Sequence, residues 1–297
     1  MTAATVLCPV DFSDESRNAL RWARVVVARR GATLVVLHVV DSLLAEAARV
    51  HAGVKLEGSE TEHALREFLA TAAPEDKTAS DRATFRVEVG EPAEVILEQA
   101  ERDQPVLIVM GTQGLGGLQK MLLGSTTERV LRRARHPVLA VPLSAGRTPD
   151  AGDPSTGIRR ILVGTDFTAA SIDAVRWAAG FARDLGAGLL IAHIVVPTRV
   201  APAWQPLVEQ ADQSRVEDAR ARMEALSREF PGLAVETVVA LDRAEDALAS
   251  LAEQRDAGLV VLGLSSEEGA FASHPGSIAY RVLYLSASPV LLVPRSA

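Results

Sequence analysis

Val6-Leu7-Cys8-Pro9-Val10-Asp11-Phe12 returns 155 residues later as Ile161-Leu162-Val163-Gly164-Thr165-Asp166-Phe167. An apolar run that stops at an aspartate reads as a buried strand followed by a turn. At the same offset Arg21-Trp22-Ala23 returns as Arg176-Trp177-Ala178, Gly31-Ala32 as Gly186-Ala187, and His38 as His193. Further along the offset falls to 152, where Gly124-Ser125 returns as Gly276-Ser277 and Pro137-Val138-Leu139 as Pro289-Val290-Leu291. Residues 111–142 and 263–294 agree at 12 of 32 positions, so the chain is a duplicated domain with a period too long for a solenoid. Domain 1 spans 1–143 and domain 2 spans 158–297; the Ser-, Gly- and Pro-rich join at 144–157 reads as a linker.

Within the first half, Val/Ile/Leu-rich runs at 5–10, 33–40, 84–89, 106–110 and 138–141 alternate with stretches of helical period at 14–30, 60–72, 92–102 and 126–135. Strands with so little polar alternation are covered on both faces. Strands alternating with helices wind right-handedly into a parallel sheet. The expected fold class is therefore α/β, a doubly wound five-stranded parallel sheet built twice. Ser13 is the expected N-cap of the first helix and Gly31 its stop.

Over 297 residues, 48% hydrophobic and 23% charged content excludes disorder as the main state. Aromatics supply only 4%, so the cores must be aliphatic. A net charge of −7 argues against nucleic acid as the main partner. The single cysteine, Cys8, excludes an intrachain disulfide and a thiolate metal site, and reads as a small buried hydrophobe. The longest apolar stretches, 34–40 and 188–197, fall short of the roughly 18 residues of a membrane span. No positive segment precedes the first apolar run, so a cytoplasmic protein without membrane contact is expected.

The stretch most suggestive of chemistry is Met110-Gly111-Thr112-Gln113-Gly114-Leu115-Gly116-Gly117, followed at 124–127 by Gly-Ser-Thr-Thr. It leaves a buried strand, passes through a loop with little bulk and enters a helix. Glycines let backbone N–H groups approach a ligand, and the helix N-terminus favours an anion. Other phosphate motifs fail: Gly117-Leu118 stands where a Walker loop needs Lys-Ser/Thr, and no G-x-G-x-x-G follows the first strand. In the second half, Gly263-Leu264-Ser265-Ser266-Glu267 is not a nucleophile elbow.

Gly111, Gly114, Gly124 and Ser125 meet the pattern Gly-x2-Gly-x9-Gly-Ser/Thr. With Pro9-Val10-Asp11-Phe12-Ser13, the His38-Val39-Val40 strand end and the proline-bounded run 137–142, the combination closely resembles the universal stress protein family. The resemblance covers both halves and implies strand order 3-2-1-4-5, pairing through the last strand, and ATP binding in one subclass. It places Pro9, Val10 and Asp11 at the end of the first strand, and Val39 against the adenine. Met110, Gly111, Gln113 and Gly114 lie beside the ribose and phosphates, and Gly124, Ser125 and Thr126 supply N–H and hydroxyl groups to the phosphates. The implied ligand is ATP, ADP or AMP, with Mg or Mn as the accompanying metal. Asp11 read alone is a turn or cap residue; within this pattern a ligand role is favoured.

Two departures weaken the case for a triphosphate: Gln113 stands where the family often has His, and Leu115 where it often has a basic residue. Lys120 reads as solvated. The second half keeps Thr165, Asp166, Ile194, Gly263, Gly276 and Ser277 as a possible second site, but Ser266 replaces the middle glycine and Glu267-Glu268 follow. At about 4 Å and an effective dielectric of about 20, each contact of like charges would cost about 4 kcal/mol. Nucleotide is therefore expected in the first half, with the second mainly supporting it.

His38 and His193 read as packed, hydrogen-bonded strand-end residues. His51, His63, His136 and His274 have no partners at ligand spacing, so no metal site built from protein side chains alone is expected. Arg129, Arg132, Arg133 and Arg135 read as complementing a helix C-terminus. Trp22 and Trp177 read as packing residues. The runs 137–142 and 289–294 read as edge strands that need cover. Their mutual pairing would make a pseudo-two-fold tandem, and a homodimer of such chains is a further expectation. No general base and metal pair faces the glycine loop, so no catalytic residue is assigned and at most weak ATP hydrolysis is expected. The reading is a nucleotide-binding regulator acting on a protein partner, against the alternative of a nucleotide-free interaction module.

Overall fold

The computed structural model describes residues 4–52, 55–56, 58–72, 83–113, 123–143, 158–264 and 278–294. The chain divides into two compact units, Met1–Gly157 and Ile158–Ala297. The expected linker at 144–157 lies outside the described residues. Unit 1 runs β1 (Thr5–Pro9), α1 (Asp14–Arg30), β2 (Thr33–Val40), α2 (Ser42–Ala52), α3 (Ser59–Ala72), β3 (Ala83–Val89), α4 (Pro92–Asp103), β4 (Leu107–Gly111), α5 (Ser125–Arg133) and β5 (Val138–Val141). Unit 2 runs β6 (Arg160–Gly164), α6 (Ala169–Leu185), β7 (Gly188–Val195), α7 (Gln205–Ser227), β8 (Val235–Leu241), α8 (Ala244–Gln254), β9 (Leu259–Leu264), α9 (Ile278–Leu285) and β10 (Val290–Pro294).

Strand order is β3-β2-β1-β4-β5 in unit 1 and β8-β7-β6-β9-β10 in unit 2, with parallel pairing throughout. Both units thus have the doubly wound order. The central strands are apolar because helices cover both faces: Val6, Leu7 and Cys8 are fully buried, as are Ile161, Leu162 and Val163. Burial pushes the Cys8 thiol well above its ordinary range, which keeps it neutral and unreactive.

The first helix of each unit has the same caps. Ser13 Oγ accepts from the Ser16 N–H, and Thr168 Oγ from the Ser171 N–H. Gly31 at φ 62° and Gly186 at φ 67° end the helices in the left-handed conformation. Trp22 is fully buried, whereas Trp177 is half-buried against Phe181. Among the described residues, no helix is long and apolar enough to cross a membrane.

Helix α2 has no counterpart among the helices expected from periodicity. It exposes Leu43, Leu44 and Val50, so it buries no apolar stripe that a period could reveal. Asp41 Oδ1 accepts from the Leu43 N–H at 2.8 Å, and Ala45, Ala47 and Ala48 favour the helix intrinsically. Local propensity and a cap account for it.

One contact in each unit brings helix and sheet unusually close. A Cβ on Gly111 would lie 2.9 Å from Glu15 Cβ and 3.0 Å from the Glu15 carbonyl carbon of α1. A Cβ on Gly263 would lie 2.4 Å from the Ala170 carbonyl oxygen of α6. The glycine ending the fourth strand is thus required by packing before any ligand is considered. Gly263→Ala should destabilise unit 2 by about 1–3 kcal/mol through overpacking. Gly180→Ala, in open space within α6, should stabilise by about 0.5–1 kcal/mol; urea unfolding of both variants checks the pair.

Candidate functional site

In each unit the strand order reverses between the first and fourth strands, β1 and β4 or β6 and β9, and ligands of open α/β sheets sit outside the carboxyl ends at such a point. In unit 1 the chain leaving β1 is tied to β2 before it turns. The Val10 N–H donates to the Leu37 carbonyl at 2.8 Å, and His38 Nδ1 lies 2.9 Å from the Val10 carbonyl. Pro9 and Val10 are buried and Val39 is half-buried, so the first two could meet a ligand only through backbone atoms. The packed reading of His38 holds: its ring lies 4.8 Å from that of Phe12.

Asp11 opens the turn. Its Oδ1 accepts from the Ser13 N–H at 3.1 Å and the Ser13 hydroxyl at 2.5 Å, while its own N–H faces Ser16 Oγ at 3.4 Å. This is an Asx turn. Phe12 then sits at φ 66°, a conformation that costs a side-chain-bearing residue about 1–2 kcal/mol. The rings of His38 and Phe68, at 4.8 and 5.4 Å, hold it there. The repeat marks Phe12 as Phe167 in unit 2 but not its conformation, because positive φ carries no signal in a phenylalanine.

The other wall comes from the end of β4 and the start of α5. Met110 and Gly111 are buried, Thr112 and Gln113 half-buried. Gly124 is the N-cap of α5 and offers no side-chain cap. Gly124 thus brings no side chain to the first N–H groups of α5, whereas Ser13 and Glu91 side chains cap α1 and α4. The Gly124 N–H donates to the Thr112 carbonyl at 2.7 Å, and the buried Thr127 hydroxyl donates to the Gly111 carbonyl at 2.8 Å. Ser125 is exposed and Thr126 half-buried on the first turn. Thr127 was not among the expected site residues; a threonine three positions after the cap glycine was the available signal. Gly114, Leu115 and Lys120 lie outside the described residues.

The arginines of α5 are more than a helix-end device. Arg129 pairs with Glu91 at 2.7 Å, Arg132 with Glu128 at 2.6 Å, and Arg133 with Glu94. Arg135 reaches Glu101 at 4.0 Å. The Arg133 hydrogen bond holds the Glu94 carboxyl below its ordinary range. The exposed pairs of Arg129 and Arg133 tie α5 to the start of α4, while Arg132–Glu128 lies within α5, and exposure keeps their contribution small.

Unit 2 repeats the turn. Asp166 Oδ1 accepts from the Thr168 N–H at 3.0 Å and the Thr168 hydroxyl at 2.6 Å. His193 Nδ1 lies 2.7 Å from the Thr165 carbonyl, and Phe167 takes φ 64°. Thr165 is buried and Ile194 half-buried. The His193 ring lies 4.6 Å from that of Phe167, as His38 packs on Phe12, and instead of a second aromatic ring the Arg222 guanidinium stands 3.9 Å over the Phe167 ring. Ser266, Glu267, Glu268, His274, Gly276 and Ser277 lie outside the described residues. Among the described residues of both units, no three His, Cys, Asp or Glu side chains gather at metal distance.

A sheet wound this way twice, each time with a strained aspartate turn at the switch point, defines a tandem α/β protein. The model of the universal stress protein family matches residues 3–142 and 157–294, and the chain belongs to that family. A universal stress protein of Mycolicibacterium smegmatis is 26% identical over 294 residues, covering 97% of this chain and 96% of that protein. One from Methanocaldococcus jannaschii is 30% identical over 150 residues, covering 46% of this chain and 93% of its own. The crystal structure of a universal stress protein from Archaeoglobus fulgidus shares the fold at TM-score 0.68 and 21% identity, covering 99% of this chain and 97% of that one.

Burial alone would raise the Asp166 pKa, but hydrogen bonds from Thr168 and Ser171 outweigh it and hold the carboxyl below its ordinary value. The stabilisation is therefore complete above the unfolded pKa of about 3.9 and is lost as pH falls through the lower folded value. Asp166→Asn should be less stable than the parent at pH 7. That difference should shrink by pH 3, as followed by urea unfolding at both values.

Proposed function

We propose that unit 1 binds one adenine nucleotide in the crevice between the turn after β1 and the start of α5. The observation that carries this reading is the N-terminus of α5, whose cap residue Gly124 has no side chain and which is tethered to the end of β4 beside the switch point. Membership of the family supports the same place. Asp11 and the backbone of Val39 would meet the ribose and adenine, with Pro9, Val10 and Met110 shaping the wall through backbone atoms. Gly111, Gln113 and Gly114 would line the path to the phosphates, which Gly124, Ser125 and Thr126 would hold. A Mg or Mn ion accompanying ATP would be held mainly by phosphate oxygens. ADP or AMP would fit the same frame, and Gln113 and Leu115 place no cation there to demand a triphosphate.

Unit 2 keeps the frame at Thr165, Asp166, Ile194 and Gly263, but its sequence has Glu267 and Glu268 where unit 1 has Leu115 and Gly116, adding negative charge to the segment that would serve phosphate. Its part is support. The output is regulatory and cytoplasmic: the ligand stabilises one conformation or assembly that a partner protein reads, which requires unequal affinity for the two states. A second reading, an interaction module with empty pockets, is favoured by the exposed Leu43, Leu44 and Val50 of α2 and Ile278 and Leu285 of α9.

Calorimetric titration with ATP separates the two. A Cβ on Gly124 would make only ordinary contacts at 3.4 Å, and its φ of −62° suits any residue. Gly124→Leu should therefore fold normally while blocking the phosphates, weakening ATP at least about tenfold, or about 1.4 kcal/mol. Parent protein that binds no adenine nucleotide would leave the interaction module as the reading.

A further inference from the structure

The two units differ at a buried position that neither the glycine pattern nor the exposed loop includes. In unit 1, Thr127 is 4% exposed and its hydroxyl donates to the Gly111 carbonyl at 2.8 Å. Gly111 ends β4, so this bond fixes the first turn of α5 against the strand that lines the crevice. The backbone bond from Gly124 to Thr112 makes a second tie, leaving α5 held at its cap and one turn in. In unit 2 the corresponding residue, 152 positions on, is Ala279, also buried but with no hydroxyl to donate. The strand-end glycine is retained there as Gly263, packed still more tightly on its helix. The anchoring carbonyl's strand is thus kept in unit 2 and the donor is lost.

We propose that Thr127 is a positioning residue that sets the N-terminal N–H groups of α5 for phosphate, and that its loss at Ala279 separates the ligand preference of the two units. This rests on the nucleotide reading of unit 1. A helix terminus binds an anion well only if its N–H groups are already fixed, because any freedom they retain must be lost on binding. The Thr127 hydroxyl is spent on the Gly111 carbonyl, so it acts through the placement of α5. Its effect should therefore grow with the number of phosphates and vanish for a ligand without them.

The test uses the full chain with Thr127→Val, which keeps the shape and removes the hydroxyl, and Thr127→Ser, which keeps the hydroxyl. ATP and adenosine are titrated calorimetrically into each, and amide hydrogen exchange of residues 124–128 is followed without ligand. The expected result for Thr127→Val is ATP affinity lower by about tenfold, adenosine affinity within about twofold of the parent, and faster exchange at the start of α5. Thr127→Ser should behave as the parent. Equal loss of ATP and adenosine would show a merely structural role and overturn the proposal, as would unchanged ATP affinity. If the parent binds neither ligand, the nucleotide reading fails, and exchange alone then decides whether Thr127 anchors the helix. Should Thr127→Val not fold, Thr127→Ala, which copies the residue of unit 2, takes its place.

Discussion

The structure depends on the parallel pairing of β1 with β4, in register from Val6 on Leu107 and Leu7 on Ile108. Because β2 pairs with β1 on its other side, the chain leaving β1 and the chain leaving β4 diverge onto opposite faces of the sheet. The gap they leave lies at the carboxyl ends. Nothing in the ladder fills it, since all its hydrogen bonds lie below. At its edge β4 approaches α1 closely at Gly111, and the same approach at Gly263 recurs in unit 2. A packing requirement therefore selects glycine where a ligand-binding pattern also has one.

Around the gap, polar groups fall into two sets. Those of the first turn are spent on each other: Asp11 on Ser13, Ser13 on Ser16, and His38 on Val10. Together with the rings of His38 and Phe68 they hold Phe12 in its left-handed conformation. The N–H groups opening α5 are not spent in this way, since Gly124 brings no side chain to them. An internally bonded turn on one side and a helix whose cap residue has no side chain on the other thus flank the carboxyl ends of β1 and β4.

The repeat made the fold readable. The limits of α1, β2 and β5 stand where periodicity and caps placed them, because these elements bury a continuous apolar face and stop at Gly31, Asp41 and Pro142. The ends of β4 and α5 differ by one or two residues. Helix α2 escaped notice because it buries almost nothing, so its pattern holds no period, only alanines and the Asp41 cap. At the site, Asp11 was legible as a residue of interest, but its place in an Asx turn is a matter of geometry. The role of Thr127 was hidden for a different reason: the threonine three positions after Gly124 is plain in the sequence, but its partner is the carbonyl of Gly111, 16 residues earlier, and the two meet only once strand and helix are assembled. The ion pairs of the α5 arginines with Glu91 and Glu94 likewise join separate helices.

The central claim is one adenine nucleotide per chain, held in unit 1. It is tested most directly by denaturing freshly purified protein, supplementing it with ATP first where none has been retained, and identifying and counting the nucleotide released. The account predicts one equivalent per chain, removed by Gly124→Leu. Two equivalents would contradict the assignment of unit 2 as a support, and none after supplementation would contradict nucleotide binding itself.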